Sequence, residues 1–366
     1  MEIELDLDRF WAENAASSGK AFSTDKPRAP IDLPMDDHWL LEEMQLPSTV
    51  RYYRDAEYAA QVNRRCNDRI EVALGIRPFS QTPQPPAPLR IEEVFGARRE
   101  VIEGGTPWLE PGVSTVEELR ALIDRLQRLD DAELRGLIYS NGANPAPRPP
   151  GPNGEKQTVS PWSRGPATIG TSAIGTTPWL YWLLDYPADM ERFYELLADI
   201  MIRYQRIVAD ANNLQLRGYA LLDDNCALLS PELYEQFCFP VVRKLFAAFA
   251  PAAGDFRFQH SDSAMAHLLP ILNRCDLKGV NFGPTIPAAE IRRQMPRAEI
   301  CGQIAPMTLR NQSFDAIAAE VKRDFNAVGA DGGLKLTTAG SISAGTSLAN
   351  IRALMYAVDR HARYDG

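Results

Sequence analysis

Between Pro187 and about Asn212, apolar residues recur at intervals of three and four, at Met190, Phe193, Leu196, Leu197 and Ile200, a pattern that predicts a helix with one buried face. Other helices are announced by caps. Ser114 with Glu117 has the capping-box spacing and opens a helix to about Arg128, and Ser230 followed by Pro231 opens a long one toward Ala250. Ser313 to Val328 ends at Gly329, a C-cap residue, and Ser347 to about His361 forms the last. Short apolar runs of strand length lie between: Ala29 to Asp36, Leu134 to Ser140, Gln157 to Ser163, Tyr219 to Asp223, Asp255 to His260, Lys278 to Phe282, Glu299 to Gln303 and Leu334 to Thr338. Proline-rich stretches at 78–90 and 143–154 read as extended loops, because proline removes a donor and biases its predecessor away from helix. Strands alternating with helices in this number predict the α/β class and a (β/α)8 TIM barrel. Residues 1–28 form an N-terminal extension, and 29–366 a single barrel domain.

In such a barrel the catalytic groups project from the C-terminal strand ends. Those ends carry Asp36 and Asp37, Asn141, Arg164, Asp223 and Asp224, His260 and Asp262, Asn281, Gln303, and Thr337 with Thr338. Strand ends are often polar because the chain emerges into water, so the convergence carries more than any one member. His260 and Asp262 lie two apart and can point the same way, histidine as acid or base and the carboxylate orienting it. The plain alternative has Asp262 capping a helix that starts near Ser263. Of Asp223 and Asp224, adjacent on a strand, only one can face the barrel mouth; Asp224 is the candidate. Arg164, Gln303, Asp37, Asn281, Thr338 and Ser341 are the candidates for holding substrate. Arg148 could join Arg164 on an anion, as guanidinium groups do bidentately. The small residues from Thr337 to Ser347 could bring backbone amides to a carboxylate or phosphate, or simply connect two elements. Trp39, Trp108 and Trp162 could wall the mouth or belong to the core.

Composition narrows the classes. The 366 residues are 45% hydrophobic and 24% charged, an ordinary globular balance, and the net charge of −9 disfavours non-specific attraction to nucleic acid or anionic membrane. Met1 to Asp8 lacks the basic start and apolar run of a signal peptide, and no stretch has the length of a membrane span, so a cytoplasmic protein is expected. Five scattered cysteines without a CxxC spacing point to reduced, buried side chains.

Leu221-Leu222-Asp223-Asp224, Ser230 to Phe237 with Pro240, Arg164-Gly165-Pro166, Phe258 to Asp262, Cys301 to Pro306, and Gly332-Gly333 through Leu348-Ala349-Asn350 follow one another in an order that resembles the uroporphyrinogen decarboxylase superfamily. That superfamily includes zinc methyltransferases that work with corrinoid proteins, and the resemblance runs from about Ser160 to the C-terminus. It implies a TIM barrel. The decarboxylases' N-terminal Arg-Gln-Ala-Gly-Arg type motif is missing from residues 1–60, where Arg28 and Arg51 stand isolated. The methyltransferases' zinc ligands, His-x-Cys and a distant Cys, fall on His260, Asp262 and Ala339, so one of three is retained. Zinc is therefore not expected to be tightly bound; if present, His260, Asp262 and Cys301 would hold it, with Asp224 another recruit. The resemblance implies a methyltransferase acting on a small molecule with a corrinoid carried by a separate protein. Decarboxylation or another lyase reaction on a carboxylated or tetrapyrrole-like substrate is the alternative, and a non-catalytic ligand-binding barrel a third. A homodimer is the default assembly.

Overall fold

The computed structural model describes residues 4–364, which divide into two compact units. One comprises 85–100 and 107–278. It opens with a two-stranded antiparallel ribbon, β1 (Arg98–Glu100) and β2 (Trp108–Glu110), in a region where the sequence pattern predicts no strand. The expected strand from Gln157 to Ser163 is two: β3 (Gln157–Val159) and β4 (Trp162–Arg164). Pro161 sits between them and cannot donate to a ladder, so the pairing changes partner there. β3 runs parallel to β5 (Leu214–Leu216), while β4 runs parallel to β6 (Tyr219–Leu222), which pairs in turn with β7 (Arg257–Ser261).

The helices of this unit follow the caps. Pro187–Ala211 buries Met190, Phe193, Leu196, Leu197 and Ile200 as the periodicity predicts. The box before Val116–Arg128 is shifted by one residue, to Thr115 and Glu118, and Ser114 also donates to Glu118 from its amide and hydroxyl. Ser230 caps the helical stretch that starts at Pro231, passes through a π-turn at Tyr234–Cys238 and continues as Phe239–Phe249. The expected strand Leu134 to Ser140 is instead a helix, Asp131–Ile138. Asp130 accepts from the Glu133 amide at 2.8 Å and Glu133 accepts from the Asp130 amide at 2.9 Å, a second capping box that outweighs the short apolar run.

The other unit comprises, among the described residues, 4–84, 101–106 and 279–364. Its parallel strands are β8 (Gly279–Phe282), β9 (Glu299–Ile304) and β10 (Leu334–Thr338), with β9 in the middle. The expected strand Ala29 to Asp36 is reduced to a single parallel bridge, Ile31 with Leu336. Pro30 and Pro34 remove two of its amides, although the Pro30 carbonyl and the Asp32 amide still bond Leu336. Phe314–Val328 and Leu348–His361 begin at Ser313 and Ser347 as expected. In the N-terminal segment, helix Leu7–Ser17 is tied by Asn14, whose side chain exchanges two hydrogen bonds with the Ile31 backbone. Arg28 is fully buried over the Phe10 ring and donates to the Phe10 carbonyl, a structural arginine whose pKa burial lowers to about 10.

Candidate active site

The period-2 alternation of parallel strands sorts the residues of β4, β6 and β7 onto two faces. Their register places Trp162, Arg164, Ala220, Leu222, Phe258 and His260 on one face, all exposed or half-buried. Ser163, Tyr219, Leu221, Gln259 and Ser261 occupy the other and are buried. Helix Phe239–Phe249 packs there, Phe249 stacking on Tyr219 at 5.2 Å between centroids. The open face carries the candidate polar groups Arg164 and His260.

Asp223 and Asp224 separate as the alternation requires. Asp223 is completely buried and accepts from the Thr168 amide at 2.8 Å, the Thr168 hydroxyl at 3.0 Å and the Ala167 amide at 3.4 Å, holding the first turn of helix Pro166–Ile174. Burial raises its carboxyl to about 6, against the lowering pull of the Thr168 and Ala167 hydrogen bonds. A Cβ on Gly165 would lie 2.3 Å from the Asp223 side chain, so only glycine fits between Arg164 and Pro166. The Arg-Gly-Pro run thus has a local logic: an arginine facing the open side, a glycine that admits Asp223, and a proline at the first helical position.

Asp224 faces the other way. Its Oδ1 accepts from the Asp262 amide at 3.0 Å and its Oδ2 from Arg164 Nη1 at 3.2 Å. His260 Nε2 lies 3.6 Å from Asp224 Oδ1 and 3.1 Å from Asp262 Oδ1. Both partners of the Arg164–Asp224 pair are partly exposed, so the pair adds at most ~1 kcal/mol to stability and serves mainly to fix the carboxylate. Asp262 does not cap a helix. The next helical turn begins at Ala266, with Met265 in the capping position, and the Asp262 carboxylate is left facing His260.

Asp224, His260 and Asp262 each offer one ligand atom, all within 4.8 Å of one another. Around a tetrahedral zinc, bond lengths of about 2.0–2.2 Å place donor atoms roughly 3.3–3.6 Å apart, so the observed spacing suits one divalent ion with a position left open. The donors are one nitrogen and two carboxylate oxygens, harder than a thiolate set. Asp224 is the recruited third member. Cys301 lies outside this cluster: it is buried in β9, and burial pushes its thiol up to about 12. All five cysteines are buried and free.

Most of the remaining candidates lie in the second unit and hydrogen-bond within it. Asn281 donates to the carbonyls of Cys301 and Thr338 and accepts from the Gly340 amide. Gln303 donates to the carbonyls of Gly283 and Ile286, and the Thr338 hydroxyl to that of Gly340. Asp37 accepts from the Tyr53 hydroxyl at 2.6 Å, and Asp36 caps helix Asp37–Met44. Ser341 is exposed, and the amides of Ala339, Gly340, Ile342 and Thr346 around it donate to protein acceptors. Trp39 is core, its indole donating to the Thr346 carbonyl. Arg148 bonds Gln157.

A cavity of about 410 Å³ opens beside Asp224 and Arg164, lined also by Arg90, Glu92, Trp108 and Asn225. Sequence reasoning missed Arg90, Glu92 and Asn225. The proline-rich stretch that ends at Arg90 signals only a loop, and Asn225 has no pattern of its own beside the Asp223–Asp224 pair.

A family model described as uroporphyrinogen decarboxylase (URO-D) matches residues 42–361. The chain belongs to that family. Its fold is accordingly the family's TIM barrel. A solved methyltransferase from Methanosarcina mazei is similar over 98% of this chain and 99% of its own, with a TM-score of 0.61 and 16% identity, a likeness of fold. A B12-independent methionine synthase from Shewanella sp. W3-18-1 aligns over 72% of this chain and 74% of its own at 11% identity, with a TM-score of only 0.36. No curated protein matches the sequence. No helix among the described residues is long and apolar enough to cross a membrane.

Proposed function

We propose that this URO-D family member is a methyltransferase that works with a corrinoid held by a separate protein, and that its reaction centre is the Asp224, His260 and Asp262 cluster. The convergence of one imidazole nitrogen and two carboxylate oxygens at the ends of β6 and β7 carries the reading. The similar Methanosarcina mazei protein is a methyltransferase, in keeping with this reading. Zinc, when bound, would be held by these three residues and would supply Lewis acidity toward the group that accepts or gives up the methyl. Arg164 fixes Asp224, and the Asp224 and Asp262 carboxylates both face His260 Nε2, which gathers the three donor atoms at one point.

Proton-transfer decarboxylation is the second reading, favoured by the arginines of the neighbouring cavity, which suit a carboxylated substrate. Free methylcobalamin can stand in for the corrinoid protein. Loss of its absorbance with a thiol or amine acceptor present, reduced roughly 10²–10⁴-fold in folded His260→Gln, supports methyl transfer. Inert methylcobalamin together with release of CO₂ from a carboxylated substrate would assign the lyase reaction instead.

A further inference from the structure

Glu92 is 3% exposed, and its pKa is raised by burial. Apart from its own backbone amide, no hydrogen bond or ion pair among the described residues ties its carboxyl down. It lines two cavities at once, the polar one beside Asp224 and a second of about 420 Å³. Arg90 and Arg164 line both as well, so these three residues form the shared wall. Beyond that wall the second cavity is mostly apolar, bounded by Ile91, Val159, Trp162, Val208, Leu214 and Leu216. Its volume is within the roughly 300–1,000 Å³ of small-molecule sites. The polar groups at its back are already engaged: Gln205 donates to the Trp162 carbonyl and Tyr204 to the Leu89 carbonyl.

We propose that this apolar cavity and its charged wall form a ligand subsite for a monocarboxylate with an aromatic or branched apolar body, the carboxylate lying between Arg90 and Arg164 and accepting a hydrogen bond from protonated Glu92. Two guanidinium groups beside an apolar chamber select an anionic head and a hydrophobic body together. A carboxyl with no other partner gains one only when such a head arrives, and its like charge is avoided only while it keeps its proton. The charged and titratable groups facing Glu92 are Arg90 and Glu93 from its own segment, Arg164 from β4, Tyr204 from helix Pro187–Ala211, and Asp224 across the polar cavity. Tyr204 stays neutral, because burial raises its pKa further. Affinity for the anion is therefore greatest while Glu92 is protonated and falls as pH rises through its elevated pKa. The subsite is independent of whether the neighbouring centre moves a methyl group or a proton.

Calorimetric titration of the full chain with benzoate, benzyl alcohol and acetate tests it. Benzoate is expected to bind at least about tenfold more tightly than either of the others, a difference of ~1.4 kcal/mol, and to weaken as pH rises through the raised pKa of Glu92. Glu92→Gln, which keeps a donor and cannot ionise, should hold benzoate with an affinity that no longer falls as pH rises. Val208→Trp, filling the chamber, should abolish benzoate binding without unfolding the protein, as circular dichroism would show. Benzoate binding no tighter than acetate, benzoate binding undiminished in folded Val208→Trp, or an unaltered pH slope in Glu92→Gln would each overturn the proposal. The methylcobalamin assay is read separately, so failure of one leaves the other intact.

Discussion

Asp223 and Asp224 are chemically identical neighbours with opposite fates, and the strand alternation decides which is which. Asp224 on the open face meets Arg164 and His260, whereas Asp223 is sealed against helix Pro166–Ile174. From sequence the alternation says only that one of the pair faces the open side; the capping role of Asp223 could not be read, because Thr168 lies 55 residues away. The buried partner has a consequence for stability. With its folded carboxyl raised to about 6 from 3.8, Asp223 binds its proton more tightly in the folded than in the unfolded chain. Its contribution is fully present below the unfolded value, is lost as pH rises through about 6, and is constant above that. Denaturant unfolding of wild type and Asp223→Asn between about pH 4 and pH 7 should show the wild type losing roughly 1–3 kcal/mol more than the variant across the range. Parallel curves would mean that the Thr168 and Ala167 hydrogen bonds outweigh burial and leave the carboxylate ionised throughout.

At the scale of elements, what was legible in the sequence were the helices whose caps and period agree, and what was not were the short apolar runs. Ser230, Ser313 and Ser347 cap where expected, and β6 to β10 fall within about two residues of their predicted positions. Leu134 to Ser140 failed because a run of that length is ambiguous between strand and helix, and Asp130 with Glu133 settles it locally. Ala29 to Asp36 and Gln157 to Ser163 were cut by their prolines, which the hydrophobic pattern does not register. If the Asp130 box fixes helix Asp131–Ile138, then Asp130→Ala should lower stability by about 1 kcal/mol, within the usual 0.5–2 for a lost N-cap. Asp131→Ala, which leaves the box intact, should change it by less than about half of that. Equal effects from the two would show that first-turn charge, and not the cap, is what matters there.

At the scale of the whole molecule, the metal question separates what the family implies from what this chain contains. Position by position, the family's zinc motif is reduced to His260, and that loss alone predicts no tight site. Folding brings in Asp224 from the turn that follows β6, and the donor atoms become three. The set is nonetheless weakened in two ways: carboxylates replace thiolates, and Arg164 competes for the charge on Asp224. Dialysed protein should therefore carry well under one zinc per chain, yet added zinc should raise the melting temperature, because any ligand that binds only the folded state stabilises it. At a free concentration of 100 times Kd the gain is about 2.7 kcal/mol, worth several degrees for a chain of this size. His260→Gln should abolish the shift, while Cys301→Ser, altered outside the cluster, should keep it. Stoichiometric zinc that survives dialysis would show that the N,O,O set holds the ion far more tightly than argued. No shift at any concentration in the wild type would mean that Arg164 and the Asp262 amide hold Asp224 against any metal, leaving His260 to act through its proton alone.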